Sequence, residues 1–195
     1  MLFLNISSDK VQISDWKKEK YLDRSGIENT LGPTLVQRYR KAPFDQVLVL
    51  NWPWGFTNLR VGTLVINLLN KLVKAKVEVY SVSKPDLYKY LFKKWILPRF
   101  GAIYLGQRLN VWLYDFQKSK YQTIKLEEIK NKPFLDFVKE KYRPKWAGEM
   151  IKFQMTNKWL NIKYKNKNHL VLIKELKLKP QNQIKPEYFI HPITC

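Results

Sequence analysis

Apolar and polar residues follow distinct patterns along the first eighty residues, and these patterns predict strands. Short apolar runs at Met1–Ile6 and Val11–Trp16 predict two strands. The run "QVLVL" at 46–50 is β-branched and apolar, and it predicts a central strand. "KVEVYSV" at 76–82 predicts another strand. A helical segment separates the last two, so we expect a βαβ unit with parallel strands.

The helical segment of that unit is predicted to begin at Thr57 or Asn58. Its apolar residues recur at intervals of three and four, the spacing of one helix face, and we expect that face to be buried. Its members are Val61, Leu64, Val65, Leu68 and Leu72. A second side of the helix carries Thr63, Ile66, Asn67 and Asn70.

A helix is also predicted before the central strand. Ser25 and Glu28 have the spacing of a capping box, which places the start of the helix at Ser25. Pro33 lacks an amide hydrogen, so we expect a kink there. The helical stripe continues beyond it at Leu35 and Tyr39.

The second half of the chain is richer in predicted strands. "KPDLYKYLFKKW" predicts a helix, and two antiparallel strands should follow with an exposed turn at Lys118–Lys120. "LEEIKNKPFLDFVKEKY" is expected to be helical around a break at Pro133. The alternating stretch from Trp159 predicts a hairpin that turns near Asn166–Asn168. The sequence shows no internal repeat.

The composition adds a strong positive charge to this picture. The 195 residues carry 36 Lys and Arg against 16 Asp and Glu, a net charge of +20. Two interpretations of this excess stay open. The basic residues form a surface that binds polyanions such as RNA, or they are only the solvated surface of a lysine-rich chain. Its one cysteine, Cys195, excludes an internal disulfide and fits a reducing cytoplasm. We expect no signal peptide, no membrane span and a cytoplasmic protein.

Candidate chemistry centres on "NWPWGFTNLRVG" at 51–62, between a strand and a helix. A phosphate-binding loop would be rich in glycine, whereas Trp52 and Trp54 are bulky and resist positive φ. His169 and His191 lie far apart and have no partner at helical spacing, so we expect no metal site and no cofactor. No catalytic constellation is visible, and we expect that the protein is not an enzyme.

Aromatic and basic residues leave two alternatives open. Trp52, Trp54 and Phe56 can stack on bases, cap the core or anchor a partner protein. Three lysines are expected on one side of a predicted strand, as a row that tracks phosphates or as a solvated edge strand. They are Lys163, Lys165 and Lys167.

The 51–62 stretch resembles the signature G-P-G-S-F-T-G-[LV]-R-[VI]-G of the TsaB (YeaZ) family, the partner subunit in tRNA threonylcarbamoyladenosine synthesis. Pro53, Phe56, Thr57 and the run from Leu59 to Gly62 match it in register. "IENTLGPTLVQ" is similar to the family's first helix, and "VEVYSVS" to the strand after the motif helix. The similarity is strong over 46–83 and weak elsewhere.

The resemblance implies an α/β protein with a reduced two-lobed actin/Hsp70/sugar-kinase-like (ribonuclease H-like) fold and mixed sheets. We expect an N-terminal lobe at 1–92 with the partner-binding helices, and a smaller basic lobe at 93–195. It further implies a cytoplasmic, non-catalytic scaffold that binds and activates a TsaD-like enzyme as a heterodimer. The alternatives are a basic RNA- or tRNA-binding module and a homodimer without an enzyme partner.

The resemblance also implies where the partner binds, on the two neighbouring helices from Ile27 to Tyr39 and from Thr57 to Leu69. The residues expected in that interface are Leu31, Leu35, Thr57, Leu59, Arg60, Thr63, Ile66 and Asn67. For Leu59 and Ile66 the alternative is that they belong to the protein's own core.

Overall fold

The computed structural model describes residues 1–8, 10–15, 17–51, 56–73, 77–104, 110–125, 128, 134–135, 151–156 and 158–185. The chain divides into two compact units, one made of 1–83 with 178–195 and the other of 84–177. The predicted lobes, 1–92 and 93–195, group the residues 84–92 and 178–195 differently. The C-terminal segment returns to the first unit because Gln181 forms an antiparallel bridge with Val79.

The first unit contains a five-stranded mixed sheet. Its strands are β1 (Leu2–Asn5), β2 (Val11–Ser14), β3 (Glu19–Leu22), β4 (Gln46–Asn51) and β5 (Glu78–Ser83), in the order β3-β2-β1-β4-β5. The first three strands are antiparallel, whereas β4 is parallel to both β1 and β5. The predicted strands, the interior place of "QVLVL" and the βαβ unit are therefore confirmed. With its mixed and antiparallel sheets and few helices, the chain is of the α/β class.

Two helices belong to this unit, α1 (Ile27–Lys41) and α2 (Phe56–Leu72), and they pack side by side. The predicted capping box at Ser25 is wrong, since the N-cap is Gly26, with φ 72° and no side-chain cap. Helix α1 runs through Pro33. Gly32 helps it to do so, because a residue without a β-carbon avoids the clash that a proline imposes on its predecessor.

The face of α2 that is buried is not the predicted one. Leu64, Leu68 and Leu72 are 58%, 46% and 75% exposed, whereas Leu59 and Ile66 are each 1% exposed. Gly62 explains the difference, because a β-carbon there would lie 2.5 Å from Cγ2 of Ile6. The helix contacts Ile6, the residue after β1, at its smallest residue, and Leu64, Leu68 and Leu72 are turned away from the buried face.

The second unit contains helix α3 (Lys84–Lys93) and a four-stranded sheet. The strands are β6 (Phe100–Tyr104), β7 (Asn110–Asp115), β8 (Lys120–Lys125) and β9 (Phe134–Leu135), in the order β8-β7-β6-β9. As in β3-β2-β1-β4, the first three strands are antiparallel and the fourth is parallel to the first. The strand order of the first unit thus recurs, although the sequence shows no repeat.

The helix predicted around Pro133 is wrong at Phe134–Leu135, which form strand β9 beside β6. Most of the rest of that predicted helix lies outside the described residues. The helix after Ser83 and the antiparallel strands that turn at exposed residues 117–120 are confirmed.

A second sheet of this unit is antiparallel, with β10 (Lys152–Thr156), β11 (Trp159–Tyr164) and β12 (Lys167–Leu172) in sequence order. A 3-10 helix at Ile173–Leu176 follows. Lys165 and Asn166 both have positive φ, 50° and 54°, as a type I′ hairpin turn requires. Tyr88 of α3 stacks on Phe153 of β10, with ring centroids 6.3 Å apart, so α3 contacts the face of this sheet that carries Phe153.

Candidate functional site

The motif at 51–62 lies where the parallel strands β1 and β4 end. Asn5 is paired with Leu50, and the amide of Ile6 donates to Leu50 at 3.2 Å, so both strands finish at one edge of the sheet. Residues 52–55, with Trp52 and Trp54, lie outside the described residues, as does the side chain of Phe56. Their predicted roles in stacking, packing or partner binding stay predictions.

Polar side chains at this edge are engaged in holding the loop after β1. The Oδ1 atom of Asn5 accepts from the amide of Ser7 at 3.0 Å, and its Nδ2 donates to Oγ of Ser8 at 3.0 Å. Asn58 of α2 donates from Nδ2 to the carbonyl of Ser8 at 2.7 Å. These contacts tie the loop to the start of α2.

The C-terminal segment also bonds to this edge and to α2. Nδ2 of Asn67 donates to the carbonyl of Ile184 at 2.9 Å, and Oδ1 of Asn67 accepts from the amide of Ile184 at 2.9 Å. Asn51, the last residue of β4, donates to the carbonyl of Lys185 at 3.4 Å. Asparagine side chains therefore bind the chain's own backbone here.

The eight residues expected in the partner interface divide into two groups. The buried group has at most 2% exposure and consists of Leu31, Leu35, Leu59, Thr63 and Ile66. Thr63 turns its hydroxyl to the carbonyl of Leu59, 2.8 Å away in its own helix. The accessible group is Thr57, Arg60 and Asn67. Since a side chain without accessible surface cannot touch a partner, only the accessible group is available for direct contact in this conformation.

The apolar spacing of α2 predicts one buried face, but part of that face is an exposed ridge. Leu64, Leu68 and Leu72, here called the leucine stripe, follow one another at intervals of four and are all exposed. Arg60 lies four residues before Leu64, so it begins the same ridge. The periodicity of the sequence correctly groups these leucines on one face of the helix. It cannot predict which face is buried, because that depends on the close approach of Gly62 to Ile6.

The three lysines expected in one row do not form one. Lys163 belongs to β11, Lys165 to the turn and Lys167 to β12. Lys167 is paired with Tyr164, whereas Lys163 is paired with Asn168. Because paired residues share a face and successive residues alternate, Lys163 and Lys167 lie on opposite faces of the hairpin.

Within the described residues no three His, Cys, Asp or Glu side chains could jointly hold a metal ion. His169 is half-buried opposite Ile162, and His191, Glu127 and Cys195 lie outside the described residues. No helix of the described residues is long and apolar enough to cross a membrane.

No protein-family model matches the sequence, and no curated protein does. The chain is similar in structure to YeaZ. YeaZ from Pseudomonas aeruginosa is 17% identical, with a TM-score of 0.46 over 75% of this chain and 79% of that one. An uncharacterized protein with similarity to peptidase YeaZ from Pseudomonas aeruginosa is 16% identical, with a TM-score of 0.44 over the same shares.

Proposed function

We propose that the chain is a non-catalytic scaffold subunit that pairs with a TsaD-like enzyme of tRNA threonylcarbamoyladenosine modification. The motif from Leu59 to Gly62 supports this class of function through its resemblance to the TsaB signature. The leucine stripe is the structural observation that carries the proposal. Three leucines with exposures of 46% to 75% on one helix ridge offer apolar surface that the described residues leave uncovered.

The recurring strand order supports the fold that this proposal requires. The strands of the β3-β2-β1-β4 sheet and of the β8-β7-β6-β9 sheet run in the same relative directions. Two related lobes of a reduced actin/Hsp70/sugar-kinase-like protein would have this arrangement. We assign the partner-binding role to the first unit, which holds α1 and α2.

The proposed interface consists of the leucine stripe, Arg60 at its beginning and the accessible Thr57. Arg24 donates to Oγ1 of Thr57 at 3.4 Å and so links the start of α2 to the turn before α1. The five buried residues of the sequence prediction then act from inside, by fixing the two helices on the sheet. Asn67 holds the C-terminal segment and is given no contact with the partner.

The size of the stripe sets a requirement on the interface. Burying an exposed leucine contributes about 1.5–3 kcal/mol at most, before the costs of association. A stable interface covers about 800 Å² on each partner, more than three side chains provide. The partner must therefore also cover the half-buried Val61 and Val65 and the outer face of α1.

Co-purification with the TsaD homologue of the same genome tests the pairing. We expect a one-to-one complex at micromolar concentration, and Leu64→Ser should weaken it at least about tenfold. Phe100→Ser is the control, because Phe100 is 44% exposed, comparable with Leu64 at 58%, but lies in the other unit. Equal effects of the two substitutions, or no complex between two folded proteins, would contradict the proposal.

Measuring the mass of the protein in solution distinguishes the proposed heterodimer from the homodimer alternative. A monomer alone that forms a heterodimer on addition of the TsaD homologue agrees with the proposal. A homodimer that Leu64→Ser dissociates, and that the homologue does not replace, would assign the leucine stripe to self-association instead.

A further inference from the structure

The antiparallel sheet of β10, β11 and β12 has one covered face and one open face. Its inner face carries apolar residues that are at most 6% exposed, among them Phe153, Leu160, Ile162 and Val171. The strand register sets the opposite face as three rows of three, here called the outer sheet face. The rows are Lys152–Lys163–Asn168, Gln154–Asn161–Leu170 and Thr156–Trp159–Leu172.

The charge of this sheet has one sign. Six lysines and no acid occur between Glu149 and Glu175, and residues 84–177 as a whole carry 22 Lys and Arg against 8 Asp and Glu. Glu175 is already engaged, since it accepts from Tyr90 at 2.7 Å and from Lys94 at 2.9 Å. Within residues 150–174, therefore, no carboxylate balances the lysines of the outer sheet face.

Lys152 and Lys163 are placed directly opposite each other on neighbouring strands. Like charges in such a pair destabilise a sheet. Within the described part of the chain neither lysine forms an ion pair. A bound anion would relieve the repulsion, so this pair favours an anionic ligand.

The far row of the same face offers an aromatic ring. Trp159 is 40% exposed although it lies in the middle strand, and it is flanked by Thr156 and Leu172. The amides of Gln154 and Asn161 lie in the row between Trp159 and the lysines. Lys163 lies four residues after Trp159 in strand β11, which is about 13 Å along the sheet.

We propose that the outer sheet face binds a single strand of nucleic acid, with a base stacked on Trp159 and phosphates at Lys152 and Lys163. Proteins that bind single strands combine an aromatic platform with a positively charged track, and both occur here on one face. A single strand fits better than a duplex, whose bases are stacked on one another. An acidic protein would also meet the lysines, but it would not require the exposed indole. This proposal does not depend on the pairing through the leucine stripe.

Fluorescence anisotropy with a labelled 12-nucleotide oligouridylate tests the proposal on the full chain. We expect binding that weakens with salt and that an equally charged polyphosphate displaces poorly, because polyphosphate has no base to stack. Replacing both Lys152 and Lys163 by alanine should reduce the slope of log affinity against log salt by about 1.4, the value for two phosphate contacts on a single strand. Binding of polyphosphate as tight as that of the oligouridylate would overturn the proposal.

The two faces of the hairpin supply a control of equal charge. Lys163→Ala and Lys167→Ala each remove one exposed lysine, but only Lys163 lies on the outer sheet face. We expect Lys163→Ala to weaken the oligouridylate severalfold and Lys167→Ala to have a clearly smaller effect. Equal effects would show that net charge alone attracts the strand and would overturn the site.

Substitutions of Trp159 distinguish the contribution of base stacking to the affinity from that of charge. Trp159→Leu should weaken the oligouridylate at least about fivefold, whereas Trp159→Phe, which keeps an aromatic face, should recover most of the affinity. Thermal melting of both variants establishes that they fold. Unchanged affinity in a folded Trp159→Leu protein would overturn the proposal, and a lack of any binding at low salt would assign the face to a protein partner instead.

Discussion

Asp15 and Asp115 make the same contacts at corresponding places in the two units. Asp15 follows β2 and Asp115 ends β7, the second strand of each repeated sheet. Each accepts, through Oδ1, the amides two and three residues ahead, at 2.7 and 2.8 Å for Asp15 and at 3.0 and 3.1 Å for Asp115. Each also accepts from an arginine, Arg38 and Arg99 respectively, at 2.5 and 2.6 Å. The repetition of strand order thus extends to the aspartate and the turn after the second strand, whereas Arg38 comes from α1 and Arg99 directly precedes β6.

The lowered pKa of Asp115 predicts that the protein loses stability in acid. The hydrogen bonds from Arg99, with those from the amides of the turn, lower the pKa of Asp115 from 3.8 to about 2. A carboxyl with a depressed pKa in the folded state stabilises the protein above its unfolded pKa, and this contribution is lost as the pH falls. The free energy of unfolding should therefore decrease between about pH 4 and pH 2.

Urea unfolding at a series of pH values measures this contribution. In Asp115→Asn the same decrease should be smaller, because the titrating group is gone. An identical pH dependence in the two proteins would contradict the lowered pKa.

Replacing Asp15 by asparagine should destabilise the first unit. Burial raises the pKa of Asp15, but hydrogen bonds from Arg38 and from the amides of Lys17 and Lys18 outweigh it and lower the pKa. Hydrogen bonds to a charged group are worth about 1.5–3 kcal/mol, and we expect a loss of that size in Asp15→Asn. Asp23→Asn is the control, since its ion pair with Lys10 is 2.9 Å long but exposed and should be worth less than about 1 kcal/mol. Equal losses in urea unfolding would argue against the prediction.

The strands were the part of the fold that local sequence determines best. "QVLVL" is β-branched and bounded by turn residues, and it became the interior strand β4. The hairpin of β11 and β12 followed from alternation, although its turn lies at Lys165–Asn166. Such patterns depend on neighbouring residues only, which is why they could be predicted without the tertiary structure.

The orientation of α2 could not be predicted in that way. Both its faces carry apolar residues, and hydrophobicity alone favours the face with Leu64, Leu68 and Leu72. What decides is a contact across 56 positions of sequence, the approach of Gly62 to Ile6. The same limitation applies to Lys163 and Lys167, because the face of the sheet on which each one lies depends on where the hairpin turns.

Gly62→Ala should therefore destabilise the protein. A β-carbon at Gly62 would lie 2.5 Å from Cγ2 and 3.0 Å from Cβ of Ile6, and the β-branched side chain of isoleucine has little freedom to move away. Overpacking of this kind costs about 1–3 kcal/mol, more than the helix propensity of alanine returns.

A double-mutant cycle in urea unfolding checks the contact. Ile6→Ala should cost less in the Gly62→Ala background than in the original protein, because it also removes the clashes of the new β-carbon with Cγ2 and Cδ1 of Ile6. Additive effects of the two substitutions would show that Gly62 and Ile6 are not coupled.

Trp95 occupies a position that normally suits glycine. Helix α3 ends in a Schellman motif, in which Trp95 donates to the carbonyl of Phe92 at 2.9 Å and Ile96 to that of Leu91 at 3.0 Å. Trp95 has φ 58° and is 91% exposed, so it carries the cost of a left-handed backbone without burying its ring.

Trp95→Gly should raise the free energy of unfolding by about 1 kcal/mol, because glycine adopts this conformation readily. Trp95→Ala is the control, since it removes the ring but keeps the backbone strain, and it should change stability little. Thermal melting compares the three proteins. A loss of stability in both variants would mean that the indole ring contributes contacts that its exposure does not suggest.

Replacing Asn67 by alanine should make the C-terminal segment open more easily. Its amide makes two hydrogen bonds of 2.9 Å to the backbone of Ile184, and Ile184 is 2% exposed. Asn67→Ala leaves both backbone groups without these partners, at a cost of about 1–3 kcal/mol. The amide of Gln181, which donates to the carbonyl of Val79 at 2.8 Å, should then exchange its hydrogen about tenfold faster if the segment opens at a cost lower by about 1.4 kcal/mol. Asn29→Ala, on the exposed side of α1, should leave this exchange rate unchanged. Equal rates in the two variants would show that the segment is held by its other contacts, such as the bridge between Gln181 and Val79.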